Sequence, residues 1–356
     1  MTTSPRSTIP RGTPVSGRPL RIGVASFAHT HAVGYVTNLL AMPGIEVLTT
    51  DPDHGDRPGE SGGASLAGEL GADYVETLEE LLTWHPDGVV VCSENARHRG
   101  YVEQVAAAGA HVLCEKPLAT SVPDAEALVA ACEAAGVHLM VAFPVRFSPA
   151  FAALREAVDG GTLGTVCAVT GTNNGKLPGG RAWFADPGLA GGGAMTDHTV
   201  HVADLMDALL DGAPARSVYA QTNHILHADR AGAETGGLVS IEYAGGVVVT
   251  IDCSWSKPDD FPTWGGLTIQ VVGSDGVADM DAFAQRVDGF SQPRSAPLWL
   301  PYGTDLDGKL LAEFVDALRT GRAPQPDGAV GVRTTKLVAA AYASAEQGHP
   351  VDVVTD

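Results

Sequence analysis

Arg21-Ile22-Gly23-Val24-Ala25, running straight into Ser26-Phe27-Ala28-His29-Thr30-His31, decides the fold. The first five residues are mostly small and apolar, as a short strand buried on both faces requires. The segment from His31 to Met42 then reads as a helix, and Ile45–Thr50 as a second strand closed by Asp51. Strand, tight turn, helix and strand make one βαβ unit, and an acid at the end of the second strand is the dinucleotide-binding layout. Asp51 lies 28 residues beyond Gly23, which suits an acid that accepts hydrogen bonds from an adenosine ribose. Such an acid repels a 2′-phosphate, so NAD is expected in preference to NADP. Laid on G-x-G-x-x-G, the three glycine positions hold Ser26, Ala28 and His31. Ala28 is small enough for close backbone approach; His31 is not, so the helix must pack differently there. Ser26, Ala28, His29 and Thr30 are the expected cofactor contacts in this turn.

Working outward, strands and helices alternate. A helix near Ala64–Leu70, a strand near Asp73–Tyr74, a helix over Thr77–Leu82 and a strong strand over Gly88–Cys92 come first. His98–Ala108 and Val122–Ala135 read as helices, His111–Cys114 and Val137–Ala142 as strands. This alternation predicts an α/β fold with a doubly wound parallel sheet, of the Rossmann type, over residues 18–142. After Phe143 the pattern changes. Pro149–Val158 reads as a linking helix. Val166–Thr172, Ala215–Thr222, Leu238–Tyr243, Val247–Ser254 and Leu267–Val272 read as strands, with a hairpin signal at Tyr243-Ala244-Gly245-Gly246-Val247. Leu306–Thr320 and Ala329–Glu346 are late helices, and Val351–Val354 a final strand. Residues 143–356 are thus expected to form an α+β domain with a large, mostly antiparallel sheet.

A chain of 356 residues suits two domains, and 44% apolar residues suffice for sizeable cores. The formal net charge of −20 argues against nucleic acid or an anionic membrane surface as partner, since both attract basic proteins. No apolar run approaches the roughly 20 residues that cross a bilayer. Residues 1–17, rich in Pro, Ser, Thr and Arg, read as a floppy tail without the apolar core of a secretory signal. Five scattered cysteines without a C-x-x-C pair fit a reducing cytoplasm rather than a disulfide framework.

In open α/β sheets, ligands bind beyond the carboxyl ends of the strands. Three strands here end in polar residues: Ser93-Glu94-Asn95 with His98 following, Glu115-Lys116-Pro117, and Phe143-Pro144-Val145-Arg146. Pro117 favours an extended Lys116, which would then project from a rigid strand tip. Further on, Gly191-Gly192-Gly193 leads into a helix carrying Asp197, His198 and His201. Asp197 and His201 are four apart and share one face, with Asp204 near it and His198 about 100° away. An imidazole exchanges protons near neutral pH, and a carboxylate can hold a hydroxyl or tune the imidazole. No metal is expected: His29 and His31 lack a nearby carboxylate set, and Asp197, His198 and His201 lack a further ligand.

With these residues in view, the chain resembles the Gfo/Idh/MocA oxidoreductases, named for glucose–fructose oxidoreductase, inositol dehydrogenase and rhizopine catabolism. The resemblance rests on Pro86–Asn95 with His98, on Ala110–Ala119, on Trp183-Phe184 with Gly191–His201, and on Ala339–Ala345 with Gly348. It implies a Rossmann domain, a second domain whose sheet often makes the oligomer interface, bound NAD(H) or NADP(H), and a sugar or cyclitol substrate. It implies catalytic roles for Lys116, Asp197 and His201 and cofactor contacts at Ser93, Asn95, His98 and Glu115. Arg146 and Trp183 would lie near the cofactor–substrate cleft, and His198 is placed with them at the substrate. Two departures stand out: the eroded glycine finger, and Ser93-Glu94-Asn95 where the family has T-P-N. The expected activity is an NAD-dependent dehydrogenase of a sugar, cyclitol or related polyol, working as a homodimer or homotetramer. The alternatives are glycoside cleavage through transient oxidation and a non-catalytic cofactor-binding sensor.

Overall fold

The structure, a computed structural model, describes residues 17–354; all of the expected N-terminal tail but Gly17 lies outside the described residues. The first half is built from β1 (Leu20–Ala25), α1 (His31–Ala41), β2 (Ile45–Thr50), α2 (Gly63–Leu70), β3 (Asp73–Val75), α3 (Leu78–Thr83) and β4 (Gly88–Val91). It continues through α4 (His98–Ala107), β5 (His111–Cys114), α5 (Val122–Ala135) and β6 (Leu139–Val141). The six strands pair in parallel in the order β3-β2-β1-β4-β5-β6. The order reverses between β1 and β4, so the ligand crevice of this sheet opens above their carboxyl ends. Local signals agree with the helices: Thr77 and Glu80 form a capping box at α3, and Ser121 accepts the Asp124 N–H at the start of α5.

The second half runs α6 (Pro149–Asp159), β7 (Val166–Gly175), α7 (Pro187–Ala190), α8 (Ala194–Leu209), β8 (Ala215–Asn223), β9 (Gly236–Tyr243), β10 (Val248–Asp252), β11 (Gly265–Gly273) and β12 (Val277–Asp281). A ribbon of β13 (Arg286–Ser291) and β14 (Ala296–Pro301) follows, then α9 (Leu306–Thr320), α10 (Gly328–Gln347) and β15 (Val351–Asp352). Seven strands form a second sheet in the order β12-β11-β7-β10-β9-β8-β15, antiparallel except for the parallel pair β7–β10. The expected hairpin joins β9 to β10, with Gly245 and Gly246 both at positive φ. One face of this sheet packs on α8 and α10; residues Tyr219, Leu238, Val248 and Val277 stand exposed.

Two features depart from the sequence reading. Strands β12, β13 and β14 were not expected there; β13 and β14 are half-buried or exposed throughout, so no apolar alternation marks them. Helix α9, grouped above with the second half, packs on the first sheet. Its Leu310, Leu311, Phe314, Val315 and Leu318 share one core with Leu20, Ile22, Val24, Tyr35 and Leu39. Gly88 is required by that contact, since a Cβ there would come within 2.9 Å of the Phe314 ring. Helix α10 bridges both halves, contacting α5 on one side and α8 and β8 on the other. Among the described residues no helix is long and apolar enough to cross a membrane.

Candidate active site

Lys116 lies two residues past the end of β5, and Asp197 sits in the first turn of α8, 81 residues later. Lys116 Nζ donates to Asp197 Oδ1 at 2.8 Å, with both side chains nearly buried. The other carboxylate oxygen, Oδ2, accepts the Trp255 indole N–H at 3.2 Å and lies 3.3 Å from His198 Nε2. Burial by itself would raise the Asp197 carboxyl, but the Lys116 charge and the neighbouring His198 outweigh it and hold the group well below the usual carboxylate range. One helical turn on, the His201 ring packs edge-on against Phe143, and its buried Nδ1 has no hydrogen-bond partner. Burial first, then the Lys116 charge, pushes this imidazole down, so it is neutral at pH 7 and able to accept a proton. The site thus brings Lys116, Asp197, His198 and His201 together across the two halves of the chain. Trp255 was not legible in the sequence, because nothing near it forms a motif.

The glycine run before α8 serves the protein's own packing. Glu234 reaches across so that its carboxylate accepts the Gly193 and Met195 N–H groups, each at 3.0 Å, and the Tyr342 O–H at 2.7 Å. A carboxylate at a helix N-terminus is well placed against unpaired N–H groups. A Cβ on Gly192 would come 2.0 Å from the Tyr342 hydroxyl, and one on Gly193 2.0 Å from the Glu234 carbonyl oxygen. Glu234 and Tyr342 therefore set where α8 begins, and with it where Asp197 and His201 point.

The β1–α1 turn replaces glycine chemistry with side-chain bonds. Ser26 adopts φ +75, the left-handed region that glycine enters without strain. Its hydroxyl accepts the Ala28 N–H at 3.1 Å and donates to Asp51 Oδ1 at 3.2 Å, bonds a glycine could not make. Ala28 is fully buried, and its carbonyl accepts the Trp183 indole N–H at 3.1 Å. Trp183, stacked on Phe184, thus reaches from the second half onto this turn. His29 Nδ1 accepts the His31 N–H at 3.2 Å, which leaves the ring proton on a buried Nε2 with no partner. Burial pushes His29 down to about 3 despite nearby Glu115. Glu115, fully buried, accepts from the Tyr35 O–H at 2.7 Å and stands 3.0 Å from His31 Nδ1. The ligand atoms of His29, His31 and Glu115 all lie within 4.8 Å of one another, so the carboxylate missing from the sequence neighbourhood of these histidines comes from β5.

Most of the other expected cofactor contacts have protein partners of their own. Asp51 is buried with both oxygens bonded to protein: Oδ1 to the Phe27 N–H at 3.0 Å and to Arg57, Oδ2 to the Gly63 N–H at 2.9 Å. His98 sits among the carbonyls of Ser93, Pro117 and Leu118 at 3.1–3.2 Å and ties two strand tips together. Asn95 donates to the Ala190 carbonyl at 2.8 Å, while its Oδ1 has no partner; Ser93 is buried beside it. Thr30 is exposed and caps nothing. Arg146, in the turn after β6, grips Asp204 of α8 through its guanidinium at 2.6 and 3.1 Å. Burial pushes that Asp204 up to about 7 even with Arg146 against it.

Buried polar atoms without a hydrogen-bond partner include His29 Nε2, Arg57 Nε and Nη1, Glu94 Oε2, Asn95 Oδ1 and Arg181 Nε. Unpaired buried polar groups are costly, and a ligand with several donors and acceptors would satisfy them. A dinucleotide is such a ligand, and these residues fit it.

A family model described as the oxidoreductase family with NAD-binding Rossmann fold matches residues 57–143, and one described as the GFO/IDH/MocA C-terminal domain matches residues 151–279. The chain is 30% identical to D-xylose 1-dehydrogenase (NADP(+)) 2 of Haloferax volcanii, over 83% of this chain and 89% of that one. It is 33% identical to 1,5-anhydro-D-fructose reductase of Ensifer adhaerens, a match spanning 62% of this chain and 65% of the reductase. Its fold superposes on GenD2 from gentamicin A biosynthesis, solved in complex with NAD, with TM-score 0.85 and 28% identity, covering 97% and 99% of the two chains.

Proposed function

The chain belongs to the Gfo/Idh/MocA family of NAD-binding oxidoreductases, and from that membership we propose that it is a dehydrogenase of a sugar, cyclitol or related polyol that uses NAD in preference to NADP. The observation that carries the reading is the 2.8 Å bond from Lys116 Nζ to Asp197 Oδ1, with a neutral His201 one turn further on. Bound NAD supplies the acceptor for a hydride from the hydroxyl-bearing carbon. Lys116 donates a hydrogen bond to the substrate oxygen and stabilises the negative charge that grows there as its proton leaves. His201 takes that proton at a ring nitrogen. Asp197, held on its second oxygen by Trp255, keeps Lys116 aimed. The names of the relatives, a pentose dehydrogenase and an anhydro-sugar reductase, favour a carbohydrate hydroxyl or carbonyl as the reacting group.

The test is NADH formation at 340 nm on a panel of D-xylose, D-glucose and myo-inositol, with His201→Ala beside the wild type. We expect absorbance to accumulate with at least one of these and the variant to lose about 10²–10⁴ in kcat. Glycoside cleavage through transient oxidation would leave 340 nm flat. A His201→Ala protein with wild-type turnover would remove His201 as the base.

A further inference from the structure

The Ser93-Glu94-Asn95 departure finds its partner in Arg57. Glu94 follows β4 and Asp51 follows β2, on either side of the β1 tip where the crevice opens. Arg57, 5% exposed, spans the gap between them. It bonds Asp51 Oδ1, and its Nε stands 3.4 Å from Glu94 Oε1. Glu94 is 1% exposed, and its Oε2 has no hydrogen-bond partner. A carboxylate buried to that degree with an unmet oxygen is costly, and a ligand hydroxyl is the kind of donor that would meet it.

The surrounding charges are already paired. Arg97 reaches Asp53 at 2.8 Å and Asp56 at 2.6 Å, with its Nε 3.7 Å from Glu94 Oε2, beyond hydrogen-bond reach, and Arg181 lies 3.5 Å from Glu60. Arg57, Arg97 and Arg181 face Asp51, Asp53, Asp56, Glu60 and Glu94, so the crevice above β2 and β4 carries net negative charge. Asp51 already spends both oxygens on protein donors, which leaves it little acceptor capacity for a ribose diol. We propose that Glu94, joined to Asp51 through Arg57, is the residue that selects an unphosphorylated adenosine ribose over a 2′-phosphorylated one. A ribose diol can donate to the open Glu94 oxygen. A 2′-phosphate offers no donor and sets further negative charge against it.

This rests on the NAD reading above, and direct binding keeps the two separable. NADH and NADPH are titrated by fluorescence into the full chain and into Glu94→Gln and Arg57→Met. The wild type is expected to bind NADH more tightly. Glu94→Gln narrows the NADPH-to-NADH ratio of Kd by about tenfold, and Arg57→Met, which removes the one shared cation, widens it. A loss of folding or of crevice packing would weaken both nucleotides alike and leave the ratio unmoved. An unchanged ratio in Glu94→Gln, or a narrowed one in Arg57→Met, overturns the inference. A wild type that binds neither nucleotide overturns the cofactor reading beneath it.

Discussion

The two ends of the crevice are built on different principles. At the proposed reacting end, Lys116 and Asp197 from distant parts of the chain meet directly, with His201 one turn further along α8. At the adenosine end, glycines have given way to Ser26, Ala28 and His31, and the bonds they would have left to a ligand are made by side chains to one another. Chemistry constrains which groups can move a proton or hold a charge. Binding a dinucleotide constrains only where donors and acceptors sit, and that can be met by many residue sets.

The comparison can be broken most forcefully at the reacting end. Lys116→Met leaves Asp197 buried without its cation, and removing one partner of such a pair costs about 3–5 kcal/mol. Turnover should fall by at least about 10²–10³ as well. A melting curve and a progress curve on one preparation check both; a variant that melts with the wild type would mean the pair is already solvated. The Asp197 carboxyl lies below its usual range in the folded chain, so the pair's contribution is present above pH 4 and fades only under stronger acid.

A smaller effect sharpens the view of the other end. His29 sits at about 3 when folded and near 6.5 when unfolded, so acid protonates the unfolded chain first. Its contribution is whole above pH 6.5 and drains away as pH falls toward 3, by about 2 kcal/mol between pH 6.5 and 5. His29→Gln should flatten that part of the stability–pH profile; a profile with unchanged slope would show the ring is not buried neutral. The smallest effect belongs to Ser26→Gly. Relief of left-handed strain, about 1–2 kcal/mol, offsets the lost hydroxyl bonds of about 1 kcal/mol each. Chemical denaturation should find a change under about 1 kcal/mol, and a loss above about 3 kcal/mol would mean the serine holds more than this turn.

The first sheet was readable because each buried strand is a run of apolar residues with turn residues at its ends, and β1, β4 and β5 come out within a residue of their observed bounds. The β13–β14 ribbon was not, since neither strand buries a face. At the site, Lys116, Asp197 and His201 stand on a strand tip and one helix face by local pattern, and it is the family resemblance that joins them. Trp255, Glu234 and Arg57 carry no such pattern, because their meaning lies in which distant group they touch. The partner of Arg146 is hidden for the same reason: only the fold reveals Asp204 against it.

The placement of α9 has a consequence for how the molecule comes into being and moves. The polypeptide leaves the first sheet after β6, returns to it through α9, and leaves again along α10. A fragment ending near residue 142 would carry an uncovered oily patch over Leu20, Ile22 and Leu39, so the nucleotide half matures only when the far end of the chain arrives. Three covalent crossings also tether the halves, restricting any opening of the crevice to rotation about the line those crossings define.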